Sequence, residues 1–88
     1  MKYTVLWKPE GERRLTELWT YSLDRTAITA AANKIDWRLR IDPDQVGESR
    51  GEDRRLLIEL PLGVTFRVLT AERIVHVTTV WQIQRRQQ

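Results

Sequence analysis

Cysteine is absent from this 88-residue chain. That excludes a disulfide framework and a thiolate zinc site, and makes a reducing compartment, the cytoplasm, the expected setting. No apolar run approaches the roughly 20 residues that cross a membrane as a helix. The N-terminus also lacks the basic-then-apolar pattern of a secretion signal, so no membrane partner is expected. Histidine occurs once, at His76. One imidazole among scattered carboxylates is not a metal-ligand set, and neither a metal nor a cofactor is expected. Repeats and low-complexity segments are missing too. The length fits a single domain, residues 1–88, with one modest core.

What is present is an uneven charge. Residues 1–49 carry 8 Lys/Arg against 8 Asp/Glu, whereas residues 50–88 carry 7 arginines against 4 acids and no lysine. The net charge of +3 therefore sits in the second half. Arginine's planar fork suits phosphate better than the point charge of lysine does. The competing reading is a solvated, salt-bridged surface.

Periodicity supplies the elements. Tyr3, Val5 and Trp7 alternate as one side of an N-terminal strand. Pro9 opens a helix, with Glu10 and Glu12 complementing its dipole and Leu15, Leu18, Trp19 and Ser22 marking its apolar face. Asp24 is suited to cap a second helix with the stripe Ile28, Ala31, Ala32, Ile35, Leu39, and Asp42-Pro43 stops it. The short link between the two helices predicts an antiparallel hairpin. Residues 42–53 read as a polar loop. Three strands follow. In the first two, one alternation is wholly apolar, Leu56, Ile58, Leu60 and then Val64, Phe66, Val68, which assigns these residues to the covered face and Arg55, Leu57, Glu59 and Arg67 to the open one. In the last strand, the spacing Val75, Val77, Val80 breaks alternation and predicts a bulge. Both helices should bury their stripes on one side of the sheet and leave the other side for function.

This order and these residues resemble the RelE/ParE superfamily of small bacterial toxins, the toxic halves of toxin–antitoxin pairs. The resemblance runs through nearly the whole chain. It is carried by Trp7-Lys8-Pro9-Glu10, by Arg14, Leu15 and Leu18, by the Ala-rich second helix ending at Asp42-Pro43, by Val46-Gly47-Glu48-Ser49-Arg50, by Phe66-Arg67-Val68, and by the last strand running into basic residues. It implies an α+β fold of order β-α-α-β-β-β, an antiparallel sheet with an N-terminal helical hairpin packed on one face. RelE-like members cut messenger RNA in the ribosomal A site. ParE-like members inhibit DNA gyrase and lack the nuclease residues. Both are neutralised by an antitoxin segment that wraps the toxin. The expected function is the toxin of a type II pair, a ribosome-dependent mRNA endoribonuclease with a cognate antitoxin as partner. The alternatives are a gyrase inhibitor and a non-catalytic binding member of the same fold.

Metal-independent cleavage needs a base, an acid and cations for the charge that builds on the phosphoryl oxygens. The resemblance makes Arg67 the phosphate-gripping arginine; its structural alternative is an ion pair with Glu59 across the hairpin. Arg85 stands where relatives place another basic residue, with Arg86 beside it; both could instead be tail charge. Glu48 or Glu59 could serve as base, and His76 could face the open side with Arg67 or be an ordinary strand histidine. Arg50, Arg54 and Arg55 are candidate RNA contacts or partners for Glu48, Glu52 and Asp53, with Arg55 on the open face by alternation. Trp7 and Trp19 are expected in the core, Trp37 off the stripe, and Trp81 either in the core or stacked on a base. Two departures stand out. Lysines that relatives carry on the open face of the second strand are replaced by Leu57 and Glu59, and a catalytic tyrosine from a C-terminal tail has no counterpart before Gln88.

Overall fold

The computed structural model describes residues 2–83. The chain runs β1 (Thr4–Trp7), α1 (Pro9–Tyr21), α2 (Arg25–Ile41), β2 (Glu48–Ser49), β3 (Arg54–Glu59), β4 (Leu62–Leu69) and β5 (Ile74–Gln82). The strands form one sheet in the order β1-β5-β4-β3-β2. Its pairs are antiparallel except β1 with β5, which are parallel. The expected α+β order holds, with two differences. The sheet is mixed, and the polar loop contains a two-residue strand, β2, paired to β3.

Both helices begin and end where local chemistry dictates. Pro9 occupies the first turn of α1, where its missing N–H costs nothing, and Glu10 and Glu12 sit in the same turn. The Asp24 side chain accepts from Ala27 N–H at 3.1 Å to cap α2. Asp42, held out of the helical region by Pro43, closes it at φ −152°. Arg38 and Arg40 lie in that last turn, at the negative end of the dipole.

The core lies between the hairpin and one face of the sheet. Ile28, Ala31, Ile35 and Leu39 of α2 and Leu18 of α1 meet Val64, Phe66 and Val68 of β4 and Val75, Val77 and Val80 of β5. Leu57 is β3's contribution. Burying this many branched and aromatic side chains supplies most of the fold's stability, at roughly 1.5–3 kcal/mol for each fully buried one.

β3 corrects the sequence reading. Leu57 is 3% exposed, whereas Ile58 is 43% and Leu60 55% exposed. Register gives the reason: Leu57 lies opposite Val64 and Ile58 opposite Gly63, and directly opposed residues share a face. Leu56-Leu57-Ile58 is apolar at three successive positions, so its own pattern fits either face; pairing with β4 decides. Arg55, Leu57 and Glu59 therefore lie on the helix side, and Arg54, Leu56 and Ile58 on the other. Trp19 is also not core. It is 42% exposed, its Nε1 donates to Thr29 Oγ1 at 3.0 Å, and Arg25 stacks on its ring. Trp37 is exposed and Trp7 packs at the core's margin.

The bulge in β5 is real. Thr65 pairs with Thr79 and Phe66 with Val77, which leaves Thr78 as the extra residue. That extra residue lets Val75, Val77 and Val80 all reach the core.

Candidate functional site

Among the described residues, no element covers the second face of the sheet. Three adjacent strands present one row of side chains there: Arg54 pairs with Arg67, and Arg67 with His76. Opposed residues on neighbouring strands bring their side chains within about 5 Å at Cβ. Leu6 of β1 ends the row beside His76. Two residues further along, about 7 Å away by strand rise, a second row holds Glu48, Leu56, Thr65 and Thr79. A third row brings Ile58 and Trp81 to either side of Gly63.

A depression of about 530 Å³ lies over this corner, lined by Arg50, Arg54, Arg67, Leu56, Thr65 and Thr79 among others. Its floor is a hydroxyl cluster. Thr65 Oγ1 meets Thr78 Oγ1 at 3.0 Å and also bonds to Thr79 Oγ1, and Thr78 Oγ1 donates to the Thr65 carbonyl at 3.1 Å. The bulge makes this possible, because it brings two consecutive threonines against one. The sequence reading missed these hydroxyls, although Thr78-Thr79 sits at the break in alternation that signalled the bulge.

Arg67 is half exposed and grips Asp53, with Nε donating to Oδ1 at 3.3 Å and Nη2 to Oδ2 at 3.0 Å. These hydrogen bonds hold the Asp53 carboxyl below its ordinary range, and the carboxylate in turn favours the charged guanidinium. Arg67 does not pair with Glu59, contrary to the structural alternative raised from sequence. Arg50 approaches Glu48 at 3.8 Å.

The candidates divide. Arg50, Arg54, Arg67, His76 and Glu48 come together on the open side, and Trp81 lies on the same side with its ring against Gly63. A Cβ at Gly63 would lie 2.6 Å from that ring, so the tryptophan packs there only because residue 63 is glycine. Trp81 is thus half-buried outside the core.

Glu59 is not in the site. It faces α2, where Arg38 Nη1 donates to it at 2.9 Å and Lys34 Nζ stands at 3.2 Å, and its side chain is 15% exposed. Burial pushes its pKa up, but the hydrogen bonds from Arg38 and Lys34 outweigh that and leave it below the usual value. Such a group is a poor proton acceptor. Arg55 borders the depression, but from the helix-side alternation and with its guanidinium committed elsewhere. Its guanidinium donates to the Val46 and Gly47 carbonyls at 3.0 and 3.2 Å, which pins the segment that sequence showed as a polar loop. Gly47 makes this possible: at φ +71°, a Cβ there would sit 2.1 Å from the Leu56 carbonyl oxygen. Arg85 and Arg86 lie outside the described residues.

The site sets a row of two arginines and one imidazole beside a row of hydroxyls, and among the described residues there is no cluster of three or more potential metal ligands.

No protein-family model matches the sequence, and no curated protein does either. Solved structures do match. The toxin–antitoxin complex RelBE2 from Mycobacterium tuberculosis contains a chain with a TM-score of 0.75 and 21% identity, covering 93% of this chain and 99% of that one. The isolated E. coli RelE toxin matches with a TM-score of 0.68 and 16% identity over 96% and 87% of the two chains. The chromosomal ParDE toxin–antitoxin system from P. aeruginosa matches with 0.65 and 13% over 94% and 98%. The fold is that of the RelE/ParE superfamily.

Proposed function

From this shared fold we propose that the protein is the toxin of a type II toxin–antitoxin pair, acting as a RelE-like, ribosome-dependent mRNA endoribonuclease and restrained by a cognate antitoxin. The observation that carries the nuclease reading is the row Arg54–Arg67–His76 on the uncovered face. In-line cleavage removes the proton of a 2′-hydroxyl, forms a bond from that oxygen to phosphorus, and breaks the bond to the 5′-oxygen, which takes up a proton. Arg67 and Arg54 neutralise the charge developing on the non-bridging oxygens. His76, beside Arg67, is suited to give the proton to the leaving oxygen, and Glu48, one row away, to accept the first proton. Arg50 extends the cationic rim. Trp81, on β5 opposite Gly63, which lies four residues or about 13 Å along β4 from Arg67, offers a stacking surface to a base further along the strand.

The antitoxin reading rests on the helical hairpin as well as the fold. A groove of about 270 Å³ between α1 and α2, lined by Leu15, Trp19, Ile28 and Ala32, suits an apolar segment that orders on binding.

A gyrase-directed activity is the second reading. It is favoured by Leu56 and Ile58, which occupy the open face of β3 where lysines are expected of a nuclease, and by the likeness to the ParDE structure. Inducible expression with separate labelling of protein, RNA and DNA synthesis distinguishes the two. Arrest of translation with cleavage of ribosome-bound messages, relieved by Arg67→Ala, is the expected result. Continued translation with a supercoiling defect establishes the gyrase reading instead, and growth without arrest leaves a pure binding module.

A further inference from the structure

Asp53 is the carboxylate partner of Arg67. Its two oxygens meet Nε and Nη2 of Arg67 at 3.3 and 3.0 Å, the same fork that a phosphodiester would use. Its backbone is fixed by three hydrogen bonds around the turn. Val68 N–H donates to the Asp53 carbonyl at 3.1 Å, Arg54 N–H to Gly51 at 2.9 Å, and Arg50 N–H to Arg54 at 2.9 Å. Gly51 at φ 99° and Glu52 at φ 41° shape the reversal. The carboxylate therefore reaches Arg67 from a fixed point. Both side chains are partly exposed, 49% for Arg67 and 34% for Asp53, so an incoming anion can reach the pair.

We infer that Asp53 is an internal ligand of Arg67, a carboxylate standing in for phosphate, which must swing aside before a single-stranded RNA phosphodiester can bind. This rests on the nuclease reading and adds regulation to the same site. An isolated monoanion gains little by replacing a tethered carboxylate, whose effective concentration is high. A strand that also engages Arg54 and Arg50 gains enough to displace it. Asp53 thus filters for polyanions and keeps the guanidinium aimed while the site is empty. It is a positioning residue. A merely structural brace behaves oppositely: its removal would loosen Arg67 and weaken binding.

The test is fluorescence anisotropy of a short labelled single-stranded RNA with the full chain at one salt concentration. Asp53→Asn is expected to tighten binding by about three- to fivefold, the scale of an exposed ion pair released. The gain should vanish in the Arg67→Ala background, the signature of direct coupling. Glu72→Gln, an equal change of net charge in the β4–β5 turn, should change affinity by less than about twofold. Asp53→Ser covers the chance that asparagine still bonds to Arg67, and circular dichroism verifies the fold of each variant. If both Asp53 variants bind as wild type or more weakly while Arg67→Ala loses affinity, the latch is refuted and the anion site stands. A gain that persists without Arg67 reduces to net charge and also refutes it. A gain for an oligoglutamate peptide but none for RNA overturns the ligand class. Arg67→Ala binding like wild type overturns the latch and the site together.

Discussion

The two faces of the sheet each carry an arginine–carboxylate contact, and the two differ in everything but their chemistry. On the covered face, Glu59 is 15% exposed and held by Arg38 and Lys34, so it ties β3 to α2. On the open face, Arg67 and Asp53 meet at a similar distance but within reach of solvent. A partly desolvated carboxylate that loses its cations is left without adequate compensation, so the first contact is a brace. An exposed pair is screened and exchanges readily for another anion, so the second is available for function. One sheet thus separates stability from binding by the side on which a charge falls.

Core truncations should break this comparison most sharply. Phe66→Ala is expected to cost about 3–5 kcal/mol and Leu57→Ala about 2–5, whereas Ile58→Ala, its immediate neighbour on the open face, should cost less than about 1 kcal/mol. Urea denaturation measures all three, and equal losses for Leu57 and Ile58 would reverse the register of β3. Next comes Gly47→Ala. The strained φ and the contact with the Leu56 carbonyl should cost about 1–3 kcal/mol and loosen the carbonyls that Arg55 holds, seen as faster amide exchange across residues 46–50.

Glu59→Gln is smaller, on the order of 1 kcal/mol near neutral pH, and its effect depends on pH. The folded pKa of Glu59 is depressed from 4.5, so the unfolded chain binds its proton first as pH falls. The stabilisation is then complete above the unfolded value and is lost as pH drops through the folded one. Wild type and Glu59→Gln should therefore converge in stability once pH has fallen below the depressed folded value, and a difference that persists there would show that charge is not its source. Least of all, Arg67→Ala should leave Tm unchanged while removing anion binding. A large fall in Tm would make the open-face pair a brace as well.

How far the sequence could be read follows the same division. The helices were legible, because Pro9, Asp24 and Asp42-Pro43 act locally and the stripe Ile28–Leu39 has a single phase. β4 was legible for the same reason, with Val64, Phe66 and Val68 separated by smaller or charged neighbours. β3 was not, because three consecutive apolar residues fit either parity. That one ambiguity exchanged Arg54 for Arg55 and put Glu59 in the site when it belongs under α2. The bulge in β5 was recoverable from the valine spacing, but the same break in alternation left the side taken by His76 open. The link between Asp53 and Arg67, 14 residues apart, had no local signal.

The amino-acid order alone determined the order of the main elements, the helix limits and the sidedness of β4, since those depend on capping, proline geometry and unambiguous alternation within short windows. Tertiary structure decided which face β3 turns to the helices, which carboxylate reaches which arginine, and that Thr78 is squeezed out beside Thr65. Those outcomes are fixed by strand register, and register is a property of two segments together, which neither segment encodes by itself.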